Sequence, residues 1–190
     1  MIAAAAKPLL RSVGDGCGFF LASNELSFRG DKDSVNLSSL CQQLDISAVE
    51  EPCGLFIKLF QYTVTKDDKL RTIFRTIPEN TSYTSPQFQN EVIGLLANLV
   101  RECVVKDLAD KWYTVLCDET RDASGIENMA IVLRFVDDNN DIREHLLCMG
   151  QVSKFDAVSL AGAMLGYLQQ YHVRADRMLA QCYNGANVMA

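Results

Sequence analysis

The segment Tyr113–Asp122 constrains the fold more than any other part of this 190-residue chain. It reads Tyr-Thr-Val-Leu-Cys-Asp-Glu-Thr-Arg-Asp, and it predicts a buried apolar strand over 112–117 that runs directly into a cluster of carboxylates. Acids at the end of a rigid strand are suited to holding divalent metal ions. A second apolar strand is predicted over 178–183, and it ends at Asn184, which is an amide and not an acid.

Two more strands lie between these, and together they predict one sheet. Residues 129–136 and 142–152 are apolar, and the turn-rich segment Asp137–Asp141 joins them as an antiparallel hairpin. A helix over 156–171, capped by Asp156, then leads to the strand 178–183. A right-handed crossover would make that last strand parallel to the first and bring Asp118 and Asn184 together. This order predicts an α/β fold in which N-terminal helices precede a truncated RNase H-like mixed sheet. The sheet is expected to consist of a three-strand antiparallel meander, followed by a crossover helix and a fourth strand parallel to the first.

The first part of the chain predicts helices. We expect an irregular lead-in over 1–18, a helical lobe with loops over 19–84, and the partial RNase H-like domain over 85–190. Within the lobe, a short helix is expected over 19–28 and mostly loop over 31–53.

Three sequence signals indicate helices in this region, and two of them are N-caps. A dense apolar run begins a helix at Leu55, and Asp67 or Asp68 caps the next one. Ser85-Pro86 opens the longest helix, whose apolar spacing continues to about Lys111.

Composition excludes several classes of function. The net charge is −6 and no basic stripe is visible, so DNA binding is not supported by charge. The seven cysteines are scattered without a CxxC pair, which indicates a reducing compartment, and with two histidines a zinc site is not expected. No segment is long and apolar enough for a membrane span, so we expect an intracellular protein, nuclear or cytoplasmic.

Four short motifs in order carry a family resemblance. They are Arg29-Gly30-Asp31, the segment Tyr83–Glu91, Cys117-Asp118-Glu119-Thr120-x-Asp122, and Gln181-Cys182-Tyr183-Asn184-Gly185-Ala186. Over residues 20–190 the chain resembles the hAT-superfamily transposase-like proteins related to zinc finger MYM-type protein 1. Those proteins carry a domain of unknown function upstream of a hAT dimerisation region.

The resemblance implies roles for two residues. Asp118 occupies the position of the first acid of a DDE-type catalytic centre, and Asn184 occupies the position of the second acid. The third acid of such transposases would lie beyond Ala190. Because two-metal catalysis needs several carboxylates to offset the charge of two cations, Asp118 is expected to be a vestigial catalytic acid and at best a weak metal ligand. No cofactor is expected, and the ancestral Mg²⁺ site is expected to be lost.

Simpler interpretations exist for each motif. The segment after Asp118 reads equally as a solvated turn, and Asn184-Gly185 as an ordinary turn. Arg29-Gly30-Asp31 reads as a charged helix exit, and the segment Tyr83–Glu91 as a helix start without chemistry. His145 and His172 are interpreted as a strand-edge residue and a helix-end residue.

The sequence therefore predicts a transposase-derived protein without catalytic activity. Two alternatives stay open: a host-recruited protein-interaction or regulatory module, and a fragment of a longer active DNA transposase. No partner can be named, but self-association is expected through an uncovered edge of the fourth strand.

Overall fold

The computed structural model describes residues 2–30, 54–76, 83–121, 127–152 and 156–183, with the side chains of 2–6, 76 and 119–121 outside that description. The chain forms two compact units, Met1–Ala97 and Asn98–Ala190. Each unit has its own hydrophobic core, and the two sets of core residues do not overlap.

The first unit is helical. Its described elements are α1 (Ile2–Ser23), α2 (Leu55–Lys66), α3 (Asp68–Thr76) and the first part of α4 (Pro86–Leu108). Its core combines aliphatic residues of α1 with a group of aromatic rings: Phe28, Phe56, Phe60, Phe74, Tyr83 and Phe88. Helix α1 packs closely here, since a Cβ on Gly18 would lie 2.3 Å from Val92 Cγ1.

The prediction of an irregular lead-in over 1–18 is wrong, because the described residues of this range, 2–18, belong to α1. The alanines before Lys7 have the highest helix propensity of any residue. Leu10, Cys17 and Leu21 recur at helical spacing and are buried, so tertiary packing outweighs the cost of Pro8 and the glycines. The helix predicted over 19–28 is the last turn of α1, which ends at Ser23. The loop predicted over 31–53 lies outside the described residues.

Two predicted helix starts in this unit are confirmed. Asp67 Oδ1 accepts hydrogen bonds from the backbone of Lys69 and Leu70, at 2.8 and 3.1 Å, at the start of α3. Ser85 Oγ accepts from the Phe88 backbone N–H at 3.2 Å at the start of α4. The domain boundary predicted at residue 85 falls at the start of α4. The boundary between the two compact units lies further along the same helix, between Ala97 and Asn98.

The second unit is a four-stranded mixed sheet in the order β3-β2-β1-β4. The strands are β1 (Tyr113–Arg121), β2 (Glu127–Val136), β3 (Ile142–Gln151) and β4 (Met178–Tyr183). Strand β1 pairs antiparallel with β2 and parallel with β4, as predicted. The predicted α/β architecture is confirmed.

Among the described residues, helices cover one face of the sheet. We call it the inner face; it carries the buried residues that alternate along β1 and β2, such as Val115 and Leu133. The C-terminal half of α4 and all of α5 (Ala157–Gln170) supply core residues to it, including Val104, Leu160 and Met164. The opposite face of the strands is called the outer face.

Strand β3 contains a bulge at Leu147, which has no partner in the register of β2. Its carbonyl accepts a 2.9 Å hydrogen bond from Arg101 Nε instead. The guanidinium of Arg101 also bonds Asn98 Oδ1 at 2.6 Å and lies over the Tyr171 ring, 5.0 Å from its centroid. The Arg101 side chain thus links α4 to the bulge in β3.

Helix α5 is capped at both ends. The predicted cap Asp156 accepts from Ser159 N at 2.9 Å and from Ser159 Oγ at 2.7 Å. At the other end the N–H of Val173 bonds the Leu168 carbonyl and that of His172 bonds the Gln169 carbonyl, which is a Schellman motif. Within the described ranges, no helix combines the length and apolar character that a bilayer crossing requires.

Candidate functional site

Asp118 lies on the central strand β1, and its side chain is exposed. Residues paired across strands share a face, so Asp118 lies with Thr114 and Leu116 on the outer face, opposite Ala130 of β2. The expectation that Asp118 ends its strand is wrong, because β1 continues in register with β2 to Arg121. Asp118 instead follows Cys117, the last residue of β1 with a partner in the register of β4.

The parallel pairing brings the end of β4 to this point of β1. The last register pair joins Cys117 to Tyr183, and the following residues in the two sequences are Asp118 and Asn184. Asn184 lies outside the described residues, and so does Asp122. Of the predicted acid cluster, the structure therefore describes the side chain of Asp118 alone.

The surroundings of Asp118 are apolar on the covered side. The neighbouring Cys117 is buried in the sheet core, and Tyr183 packs against the same core. Burial raises the pKa of the Tyr183 hydroxyl, and the nearby Cys117 raises it further. The Tyr183 hydroxyl bonds Gln181 Oε1 on the same strand. The end of β4 thus carries a neutral phenol and an amide beside the single described carboxylate.

Metal binding requires more ligands than this. Among the described residues, no group of three His, Cys, Asp or Glu side chains is close enough to hold a metal ion. Mg²⁺ and Ca²⁺ need several oxygen ligands arranged around the ion. Among the described side chains where the pairing of β1 with β4 ends, the carboxylate of Asp118 is the group suited to coordinating a divalent cation.

The first two sequence motifs meet in the helical unit. The Arg29 guanidinium bonds Asn90 Oδ1, and a Cβ on Gly54 would lie 2.4 Å from the Phe28 carbonyl oxygen. The helix-start interpretation of residues 83–91 is confirmed by the Ser85 cap. The helix-exit interpretation of the first motif is wrong, because α1 ends at Ser23 and Arg29 and Gly30 lie in the non-helical segment that follows it. Asp31 lies outside the described residues.

Residue Gln89 in this motif is buried completely. Its Nε2 donates to the Thr84 carbonyl at 3.0 Å, and its Oε1 has no hydrogen-bond partner among the described residues. The amide thus holds the backbone just before α4. Sequence reasoning gave this glutamine no role, because a polar residue near a helix start reads as exposed.

Two surface clefts in the sheet unit were not predicted. The first, about 380 Å³, lies between α4 and the end of α5 and is lined by Asn98, Arg101, Glu102, Val105, Lys106, Gln170, Tyr171 and His172. The second, about 390 Å³, adjoins the turn between β2 and β3. There Arg143 bonds Asp137 Oδ2 at 2.7 Å, and this bond is the main cause of the lowered pKa of Asp137.

Both clefts are lined by cations and acids together, and in the second cleft the cations pair with neighbouring acids. In the second cleft Lys111 lies 3.2 Å from Asp138. His145, predicted at a strand edge, lies on the edge strand β3 with its ring 6.0 Å from that of Phe135. His172, predicted at a helix end, follows α5 with a left-handed backbone, φ 59°.

A four-stranded mixed sheet with an acid on an interior strand is consistent with an RNase-like domain. A family profile described as the ZMYM1/FAM200 RNase-like domain, DUF4371, matches residues 16–190. The chain belongs to this family, and its relatedness to transposase-derived ZMYM and FAM200 proteins is thereby established.

Two curated relatives share the name "52 kDa repressor of the inhibitor of the protein kinase". The human protein is 26% identical over 82 residues, which is 43% of this chain and 11% of that protein. The mouse protein is 26% identical over 107 residues, which is 53% of this chain and 14% of that protein. The chain therefore spans a small part of these relatives. No solved structure gives a significant match.

Proposed function

We propose that this chain is a transposase-derived RNase-like domain without catalytic activity. The observation that supports it is the residue pair that follows the Cys117–Tyr183 register pair, one acid and one amide. Asp118 supplies a single negative charge, whereas two-metal catalysis of phosphoryl transfer needs carboxylates on both ions. An asparagine carbonyl coordinates a cation without offsetting its charge. We infer that the ancestral Mg²⁺ site is lost and that Asp118 binds metal weakly at best.

Metal titration tests the first half of this proposal. Calorimetry with Mn²⁺ should give weak or undetectable binding to the wild-type chain and tighter binding to Asn184→Asp, because a second carboxylate is added beside Asp118. The matched control is Gln169→Glu, the same amide-to-acid change on an exposed position of α5. Equal gains in Mn²⁺ affinity from both changes would show that the effect is one of net charge and would contradict the assigned site.

A plasmid-nicking assay tests the second half. The wild-type chain is expected to leave supercoiled DNA intact with Mg²⁺ or Mn²⁺, since one carboxylate and one amide do not offset the charge of the two cations that the reaction needs. Asp118→Ala serves as the reference for contaminating nuclease. Metal-dependent nicking by the wild-type chain that disappears in Asp118→Ala would overturn the proposal and make the protein an enzyme.

A second candidate function is a protein-interaction or regulatory module. The two curated relatives are named as repressors of a kinase inhibitor, and part of this chain is similar to part of each. A regulatory role of this kind fits a nuclear or cytoplasmic protein and needs no catalytic acids. It is tested by whether the chain, with Asp118→Ala as a matched variant, represses a reporter when tethered to its promoter. Repression that is independent of Asp118 supports this candidate, and its absence contradicts it.

A further inference from the structure

The cleft between α4 and the end of α5 contains an arginine that is already held in place. The cleft has a volume of about 380 Å³, which lies in the range of small-molecule sites. Arg101 Nε donates to the Leu147 carbonyl at 2.9 Å, and Nη1 donates to Asn98 Oδ1 at 2.6 Å. The guanidinium also lies over the Tyr171 ring, 5.0 Å from its centroid. The N–H groups of Nη2 have no acceptor among the described residues, so a fixed donor group is left for a ligand.

The other charged side chains of this cleft are not paired either. Glu102 and Lys106 are four positions apart on α4, a spacing that allows an ion pair, but neither forms one with any described residue. In the second cleft, by contrast, Lys111 and Arg143 each pair with an aspartate. Together with Arg101, the first cleft has two cations and one carboxylate, in a chain whose net charge is −6. Its cations are therefore available to an anion.

His172 lines the same cleft with a backbone conformation that glycine adopts more readily. Its φ is 59°, and it follows α5 at a position where glycine is the usual residue. A strained backbone beside a cleft indicates that the side chain has a function there. The negative end of the α5 dipole opposes an anion, but its last carbonyls already accept from the N–H groups of Tyr171, His172 and Val173.

We propose that this cleft binds a small phosphate monoester. The terminal oxygens of a phosphate accept several hydrogen bonds, which suits the guanidinium of Arg101, the ammonium of Lys106 and the imidazole of His172. Val105 and the Tyr171 ring supply an apolar wall for the organic part of the ligand. Because Arg101 is fixed before the ligand arrives, it loses little freedom on binding.

An NMR titration with phenyl phosphate tests the proposal. The backbone amides of residues 98–106 and 170–172 should shift saturably, with a dissociation constant of about millimolar or tighter. Lys106→Gln should weaken binding by about threefold or more. The matched control Lys69→Gln makes the same change at an exposed position of the helical unit and should leave binding unchanged. Glu102→Gln should tighten binding, because it removes a carboxylate that repels the anion. Equal weakening by the two lysine changes would show an effect of net charge alone and would overturn the proposal.

His172→Gly separates ligand contact from a structural role. Glycine adopts the left-handed backbone without strain, so this variant should have a higher Tm and yet bind phenyl phosphate about threefold or more weakly. Inorganic phosphate should shift the same amides at higher concentration, because it lacks the ring, and benzoate should bind more weakly than phenyl phosphate, because a carboxylate has fewer oxygens and less charge. No saturable shift in the wild-type chain, benzoate binding as tight as that of phenyl phosphate, or unchanged affinity in His172→Gly would each contradict the assigned site.

Discussion

At the scale of single residues, the ring of Tyr167 packs closely against Gly150. A Cβ at position 150 would lie 2.1 Å from Cζ of the Tyr167 ring, far inside van der Waals contact. The Tyr167 hydroxyl also donates to the Gln151 carbonyl at 3.3 Å, which holds the ring against β3. A glycine in a strand interior commonly marks such an approach by another group.

Gly150→Ala is therefore expected to lower the free energy of unfolding by about 1–3 kcal/mol, because the ring must leave its position or the strand must move. Urea denaturation followed by circular dichroism measures the change. In a Tyr167→Ala background the same substitution should cost little, which gives a coupling energy above about 1 kcal/mol. Gly162→Ala is the matched control: a Cβ there meets nothing within 4 Å, and on helix α5 it should raise stability by about 0.5–1 kcal/mol.

The sequence identified Asp118 as a candidate site residue, but the prediction that its strand ends there was wrong. The apolar run Tyr113–Cys117 has a clear strand pattern, so the chemistry of the acids that follow it suggested that the strand ends there. The ladder between β1 and β2 continues over residues 118–121 because backbone hydrogen bonds do not depend on apolar side chains. The buried Gln89 was missed for a related reason, since its partner is a backbone carbonyl.

At the scale of elements, α5 depends on its N-cap. The hydroxyl of Ser159 is the largest cause of the lowered pKa of Asp156, and the backbone N–H of Ser159 adds to it. A carboxyl whose pKa is lowered by folding stabilises the fold above its unfolded pKa of about 3.9, and this stabilisation is lost as pH falls through the folded pKa.

Asp156→Ala should accordingly lower Tm at neutral pH, and the difference from wild type should shrink below about pH 4. Differential scanning fluorimetry from pH 7 to pH 3 measures both values of Tm. Asp156→Asn keeps an acceptor for Ser159 N without the charge, so its Tm difference from Asp156→Ala should not depend on pH. A constant gap between wild type and Asp156→Ala down to pH 3 would contradict an ionised cap.

The elements of the sheet were predictable from sequence, and α1 was not. Strand β4 was predicted with its observed bounds, because a short apolar run between polar segments has few alternatives. In α1 the local signals conflict: Pro8 and three glycines oppose a helix, and the apolar positions at helical spacing favour it. Packing of Leu10 and Leu21 in the core decides the outcome, and packing is not visible in a local pattern.

At the scale of the whole molecule, the two compact units have separate cores. Cys17 lies in the first core and Cys148 in the second, and both thiols are buried. Burial raises the pKa of both, that of Cys148 to about 11, although Arg101 opposes the latter shift. Since the thiolate is the reactive form, neither should be alkylated in the folded chain near neutral pH.

Alkylation in increasing urea, mapped by peptide mass spectrometry, should show two unfolding transitions. The core clusters share no residue, so we expect Cys17 and Cys148 to become reactive at different urea midpoints. The exposed Cys103 and Cys182 report labelling efficiency, because they should react without urea. Coincident midpoints for Cys17 and Cys148 would instead show that the chain unfolds as one cooperative unit.

The parallel pairing of β1 with β4 has a consequence for synthesis on the ribosome. Strand β2 follows β1 within a few residues, so that hairpin can form early, but the partner of Cys117 is Tyr183, 66 positions later. Because a ribosome adds about 5–20 residues per second, the edge of β1 that pairs with β4 stays unpaired for about 3–13 s. During that interval the nascent chain exposes an apolar strand edge, so chaperones that bind such edges are expected to act on this protein between β1 and β4.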